Sequence, residues 1–458
     1  MKRWPFLALS VLIMLLFFGC TALNDTADRA DPSNETPGPD QAAPENDTAP
    51  ESEWEEPEPT EPDKETPRRS DLDRLVVVYE KNGALNLIVG GGTPQLLTEG
   101  ADDSHPLLSP DGSKVLFRRY QHLGPSGLPR FELWMVNLDG TNVRPLVTLD
   151  HLPETTGKPM GSEITVLLDR LPWHVRWKEN SKEVVFNTLI EGGYGLLTNN
   201  DLWLADVLSG AVTQILPDGL GGSFAFSPDG SALIVADDTS VSIMDAGGDS
   251  RRELISFPFV NTASEYAFIP QPAWAPDGSY GLVAISGPEP FGDSDNEERF
   301  TSIWMLPRGG DAVELFKVYG WNLDAAMSGN IFSPNCEYIA FAEGDSPDGS
   351  FNIAAPDGSI IATFDYARVN HGWSADNRLL ILEGEEPFLA GIDRLKQVLQ
   401  LPAGADARST GYRWVGSAVY IGLDWNYNGK NQLFVTEVDG EVLIIDSEVG
   451  SFDALIIQ

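Results

Sequence analysis

One short phrase returns along this chain and limits its fold more than any other feature. An apolar or aromatic residue is followed by a tight turn and then by a strand. Seven copies occur: Leu108-Ser-Pro-Asp-Gly112, Trp177-Lys-Glu-Asn-Ser181, Phe226-Ser-Pro-Asp-Gly230, Trp274-Ala-Pro-Asp-Gly278, Phe332-Ser-Pro-Asn-Cys336, Trp373-Ser-Ala-Asp-Asn377 and a shortened Trp414-Val-Gly-Ser417. Their first residues lie 69, 49, 48, 58, 41 and 41 positions apart. In the complete copies Pro110, Pro228 and Pro276 fix φ at the first corner, and Pro334 does the same in the fifth. Asp111, Asp229 and Asp277 cap backbone amides, as Asp376 does in the sixth, and Gly112, Gly230 and Gly278 accept the left-handed conformation that closes a hairpin.

A period of 40 to 50 residues matches the length of one four-stranded propeller blade. Short β-rich runs such as Leu75-Val-Val-Val-Tyr79, Lys114-Val-Leu-Phe117, Ala232-Leu-Ile-Val235 and Leu379-Leu-Ile-Leu382 alternate with Gly, Asp, Asn and Pro clusters, and no long helical periodicity interrupts them. The expected fold is therefore all-β, a β-propeller of four-stranded blades spanning residues 71–458. Each anchoring ring is expected to pack against the next blade and seal the core. Seven anchors favour seven blades. Eight result if Leu75 to Thr98, which lacks an anchor, pairs with the terminal Phe452 to Gln458 as a blade of its own. The long spacings mark insertions, roughly Gln121 to Arg130, His151 to Leu171 and Gly287 to Phe300, expected to protrude.

Residues 1–20 have the form of an export signal: Lys2 and Arg3, an apolar run from Phe6 to Phe18 too short for a comfortable bilayer span, then Gly19 and Cys20. The arrangement resembles a bacterial lipoprotein signal, which implies lipidation at Cys20, although Phe17 stands where such signals usually carry Leu. An ordinary signal peptide or transmembrane anchor is the alternative, and either places the rest of the chain outside the cytoplasm. Residues 21–70 hold nine prolines, fifteen acidic and four basic residues and almost no large apolar ones, the composition of a solvated, extended linker. The whole chain has 30 basic and 69 acidic residues, a formal charge of -39. Such a surface repels phosphate backbones, so nucleic acid is excluded as a partner.

The repeats, with strands such as Glu132-Leu-Trp-Met-Val-Asn137 and the turn Asp139-Gly-Thr141, resemble the WD40-like repeats of the TolB family over about residues 74–458. The resemblance implies an extracytoplasmic propeller acting mainly as a protein-binding platform; together with the lipoprotein-like signal, the expectation is a membrane-tethered monomer that binds a protein or cell-envelope partner. The better-known TolB propellers have six blades, so this chain departs from them.

Propellers with this repeat also precede the α/β-hydrolase domain of prolyl oligopeptidase-like enzymes, which carry Gly-x-Ser-x-Gly. The nearest imitation, Gly372-Trp-Ser374-Ala-Asp376, lacks the final Gly and is the sixth anchor. The five histidines, His105, His122, His151, His174 and His371, show no zinc spacing, and ordinary roles are expected for each. No catalytic residues are assigned; a hydrolase or small-ligand site in the central channel is the alternative. No cofactor is expected beyond calcium, whose candidate loop is Asp424-Trp-Asn426-Tyr-Asn428-Gly429. It has oxygen donors at alternate positions and Gly sixth, but Val435 replaces the usual bidentate Glu. A plain hairpin turn is the competing interpretation, and a calcium-stabilised structural module the corresponding function. The acidic run from Asp293 to Glu298 is expected to be a solvated cluster. Cys336, in the Gly slot of the fifth anchor, is expected to be inert. The aromatics Trp177, Trp274, Trp373 and Trp414 sit at anchors, where core packing explains them, leaving Trp321 and Trp425 as the two aromatics available for ligand contact.

Overall fold

The computed structural model describes residues 71–457, apart from 101, 124–128, 158–163, 192–195, 264–265, 289–298, 321, 344–349, 366–367, 384–385, 394–395, 406–409, 417–418, 425–430 and 438–440. The expectations for residues 1–70, Cys20 among them, and for Asn426, Asn428, Trp321, Trp425 and the acidic run fall outside the described residues. Residues 69–458 form one compact unit.

Among the described residues, strands of that unit pair into eight successive antiparallel sheets of three or more strands and two two-stranded ribbons, Thr155–Gly157 with Val166–Leu168 and Asn261–Ala263 with Tyr266–Ala267. Sheet 1 joins Leu75–Lys81, Ala84–Val89 and Gln95–Leu96 to the distant Val449–Ile456. Sheets 2, 4, 5, 7 and 8 are four-stranded meanders starting at Asp103, Ser223, Ala273, Arg368 and Thr410; sheet 3, starting at Leu171, carries an added short strand. Sheet 6 has three strands from Ile339 to Asp365, with its first position filled by a single bridge from Phe332 to Ile339. Sheet 1 lacks an anchor because its first strand comes from the far end of the repeat region, so no hairpin joins it to the second. The anchors therefore number one fewer than the sheets of three or more strands among the described residues.

The sheets are stacked into a ring, which explains why their second strands are apolar throughout. Tyr280–Ser286 and Val419–Asp424 are buried on nearly every residue because each second strand is covered on both faces. Alternate residues serve opposite neighbours. Val77 and Tyr79 of sheet 1 pack with Val419 and Ile421 of sheet 8, while Val76 and Val78 pack with Val115 and Phe117 of sheet 2. Leu116 then meets Val184 and Phe186 of sheet 3, and Val185 meets Leu233 and Val235 of sheet 4. Further clusters join sheets 4, 5 and 6, then 6 and 7, then 7 and 8. Each fully buried aliphatic side chain contributes roughly 1.5–3 kcal/mol relative to exposure.

The first strands form the inner wall, since those of adjacent sheets are close enough to share hydrogen bonds. The Asp453 carboxylate accepts from the Leu108 amide at 2.7 Å and pairs with Arg413, tying sheet 1 to sheets 2 and 8 at once. The fourth strands, such as Val313–Tyr319 and Val442–Ser447, are largely exposed and form the outer wall.

Candidate functional site

Antiparallel pairing puts successive links at alternate ends of a sheet. All seven anchors join first strands to second, so they share one rim, and neighbouring copies touch there. The Asp111 amide donates to Ser181 Oγ at 3.0 Å, and the Asn335 amide to Asn377 Oδ1 at 3.3 Å. The chemistry read from the phrase is present. Ser109 Oγ donates to Asp111 Oδ1 at 2.6 Å, the same carboxylate oxygen accepts from the Ser113 amide at 3.0 Å, and Gly112 has φ 67°. Ser227, Asp229, Ser231 and Gly230 repeat the arrangement. Burial works against ionisation of Asp111, yet bonds from Ser109 and Ser113 hold its carboxyl below the usual range. Asp229 is held far lower, first by Arg308 and then by Ser227 and Ser231. These acids are consumed by turn formation.

The anchoring rings differ from expectation in direction. Trp177, Trp274 and Trp373 donate their indole N–H to Leu107, Ala225 and Asn330 oxygens at 3.0, 2.9 and 3.0 Å, each on the preceding sheet. The ring points back because its strand follows the one it seals. Trp414 finds no acceptor among the described residues and packs against Tyr420 at 4.9 Å. Cys336 adopts φ 56° in its Gly slot and is buried, which pushes its thiol up to about 11. Asp424 is buried at the end of its strand. Among the described residues no three His, Cys, Asp or Glu side chains gather as a metal-holding group.

Links between second and third strands, and crossings between sheets, lie on the opposite rim. Gln121 to Arg130 and Gly287 to Phe300 are links of the first kind and His151 to Leu171 of the second, so the described ends of all three insertions lie at this loop rim. The crossings on that rim expose Ile164 (71%), Leu167 (55%), Leu220 (48%) and Phe259 (52%) to solvent.

Inside the loop rim, on the first strands of sheets 2 and 3, lies a second feature that the sequence expectations missed. His105 and His174 each stand three residues ahead of an anchor, and both have left-handed φ, 52° and 46°. They are the two non-glycine residues of this kind inside a strand among the described residues. Each sits at a break in register, between Ser104 and Leu107 and between Trp173 and Arg176. Left-handed backbone at a bulky residue is strained and persists where surrounding contacts impose it. Here the His105 amide donates to Ser451 Oγ of sheet 1 at 2.9 Å.

Two arginines stand beside these imidazoles. Arg118 and Arg119 are consecutive on one strand and so face opposite sides of sheet 2. Arg119 makes a two-point bond to the fully buried Asp103, at 2.7 and 2.9 Å, and stacks on Trp134. Arg118 turns toward sheet 3, its Cζ 4.7 Å from the Phe131 ring centre and 4.5 Å from that of Trp173. No carboxylate pairs with Arg118, or with Arg176 over Phe224, among the described residues. The protein around the site depresses His105 to about 3 by desolvation and then the charge of Arg118, and His174 to about 4 by desolvation, then Arg176. Both rings are therefore neutral near pH 7. The shared offset from the anchor was the signal available in the sequence.

No protein-family model matches the chain, and no curated protein matches it significantly. Among solved structures, dipeptidyl peptidase 4 from Porphyromonas gingivalis is similar at 11% identity and TM-score 0.51, over 80% of this chain and 57% of that one. TolB from Acinetobacter baumannii is matched at 15% identity and TM-score 0.30, over 62% of each chain. The β-propeller domain of the Trilobed protease from Pyrococcus furiosus is matched at 12% or less, namely 11%, with TM-score 0.42, over 75% of this chain and 94% of that one. The chain thus spans less than two thirds of the first two. The likeness is one of fold: this is a β-propeller, the architecture that also contains the TolB proteins.

Proposed function

We propose that this propeller is a non-catalytic scaffold that binds a protein partner on its loop rim. The observation that supports it is the exposure of Ile164, Leu167, Leu220 and Phe259 on crossings of one rim, to which the described ends of all three insertions also lead, and exposed apolar side chains favour association. The acidic surface favours a partner with a basic contact face. Cys20 would hold the scaffold on a bacterial membrane through its acyl chains, with residues 21–70 as spacer. Among the described residues no helix is long and apolar enough to cross a membrane.

A peptidase is the competing interpretation, since one similar structure is named as such. The described residues from Leu75 to Ile456 are occupied by propeller sheets, with one helix, Leu323–Ser328, of six residues. The test compares capture of envelope proteins by the immobilised chain with capture by Phe259→Asp/Leu167→Asp and by Leu208→Asp, whose site on the anchor rim is 93% exposed. Loss in the first variant and retention in the second is expected; equal capture by all three would reject the loop rim as the contact. Release of Cys20→Ser from membranes, with the native chain retained, tests the anchor.

A further inference from the structure

We propose that the anchor rim is a docking surface for a lipid bilayer, which it meets through a ring of aliphatic side chains at the links between third and fourth strands. This goes beyond partner docking on the loop rim and leaves that rim free.

Third-to-fourth links lie on the anchor rim by the same alternation that places the anchors there. At or beside these links, seven of the eight sheets of three or more strands expose a large aliphatic side chain among the described residues. Leu208 of sheet 3 is 93% exposed. Val89 of sheet 1, Val143 of sheet 2, Val313 of sheet 5, Ile360 of sheet 6, Ile392 of sheet 7 and Leu443 of sheet 8 lie between 40% and 49%. In sheet 4 the fourth strand opens instead on Arg252, which donates to the Arg308 carbonyl of sheet 5 at 3.2 Å.

Single exposed aliphatics are ordinary on a protein surface, but seven at one repeat position are not scattered. Turn formation does not ask for them. Asp206 Oδ1 accepts the amides of Leu208 and Ser209 at 3.1 and 2.7 Å, and Asp139 and Asp357 accept those of Thr141 and Ser359, each at 2.9 Å. These acids close the turns, and the aliphatic side chains of Leu208, Val143 and Ile360 are left in solvent.

The arrangement of the array selects the occupant. Side chains at one repeat position stand at one level around the ring and meet a flat surface together, whereas a globular partner would cover a few and leave the rest exposed. The chain also enters the fold on this rim. The Gly90 amide, one residue past Val89, donates to the Leu75 carbonyl at 2.8 Å, and the Arg74 carbonyl accepts from the Ile457 amide at 3.0 Å. A tether joined at Asp71 would therefore present this rim, not the loop rim, to the surface that holds Cys20. Exposed acids on the same links, Asp139, Asp245, Asp249 and Asp311, make a neutral bilayer the better fit, with apolar contact rather than charge supplying the attraction.

The experiment floats the chain from Thr21 to Gln458 with phosphatidylcholine vesicles on a density gradient; this chain carries no lipid, so its result is separate from lipidation at Cys20. Co-flotation of the native sequence is expected, insensitive to sodium chloride and weaker when about a third of the lipid is phosphatidylglycerol. Leu208→Asp/Ile392→Asp should lose roughly tenfold in partition coefficient with an unchanged melting midpoint, while Phe259→Asp/Leu167→Asp on the loop rim should keep native partition. A polarity-sensitive dye on Leu208→Cys should shift to the blue with vesicles and the same dye on Leu220→Cys should not, the native Cys336 being buried. The proposal is overturned by absence of flotation of the native sequence, which would assign the ring to a protein surface, by tighter binding to the anionic vesicles, or by loss in the loop-rim variant with retention in the anchor-rim one.

Discussion

The two rims of this propeller treat charge in opposite ways. At the anchor rim, Asp111, Asp229 and Asp277 each bond serines and amides within a few residues, Asp229 also taking Arg308, and the backbone adopts left-handed φ at glycine or at a residue standing in its place. Inside the loop rim, left-handed φ falls on two histidines in mid-strand, and two guanidinium groups stand without acids among the described residues. Local satisfaction is what a folding element requires. Backbone strain at His105 persists because contacts such as the bond from its amide to Ser451 Oγ impose it.

Four measurements press on that contrast. The largest effect is expected from Trp274→Ala, which removes a buried ring and its bond to Ala225 oxygen; urea denaturation should show a loss of about 4 kcal/mol, whereas Arg176→Gln should stay within about 0.5 kcal/mol of the native chain. Equal losses would erase the distinction between a sealing residue and a solvent-facing one. Next, Asp111→Ala should cost about 1.5 kcal/mol in the same assay, because the Ser113 amide and Ser109 hydroxyl lose their acceptor.

The third separates the rims by pH. His105 and His174 have folded values near 3 and near 4, below the ordinary 6.5, so the unfolded chain takes up protons first and stability declines as pH falls from 6.5 toward 4. Both rings open onto solvent, which limits the total to about 1 kcal/mol. The anchor carboxylates have folded values below 3.8, so their contribution is complete above that pH and is lost below it. Thermal melts of a His105→Gln/His174→Gln variant should lose the upper decline and keep the lower; an unchanged upper decline would place its origin elsewhere. The smallest effect is expected for Cys336→Gly, where relief of a left-handed residue offsets lost packing, leaving a change of about 0.5 kcal/mol in either direction by the same melts.

The anchor rim was legible in the sequence because its chemistry is local: Pro, Asp and Gly act on neighbours one to three positions away. The second strands were legible too, since burial on both faces leaves an unbroken apolar run such as Leu75 to Tyr79. The direction of the Trp seal was not, because an indole N–H 49 residues from its acceptor leaves no trace in spacing. The eighth sheet was visible as an option, but its first strand is supplied by residues some 370 positions away, beyond any turn signal. His105 and His174 were counted as scattered because they were compared by absolute position. Measured from Leu108 and Trp177 they coincide. Arg118 and Arg119 read alike in sequence, and the alternation of a strand decides which one meets Asp103.

Joining Leu75–Lys81 to Val449–Ile456 also sets a timetable for assembly. The strand Leu-Val-Val-Val-Tyr-Glu-Lys emerges early and apolar, with one edge unpaired, and stays so until residue 449 is free to reach it. During that wait it is the segment of the described chain most able to recruit a second copy edge to edge, and a late-forming contact of such long range slows the final step. Conditions that stall synthesis before residue 449 should therefore yield aggregates nucleated at the first strand, while a circular permutant opened at the Asp139-Gly140 turn, with those two strands joined covalently, should refold faster and more completely.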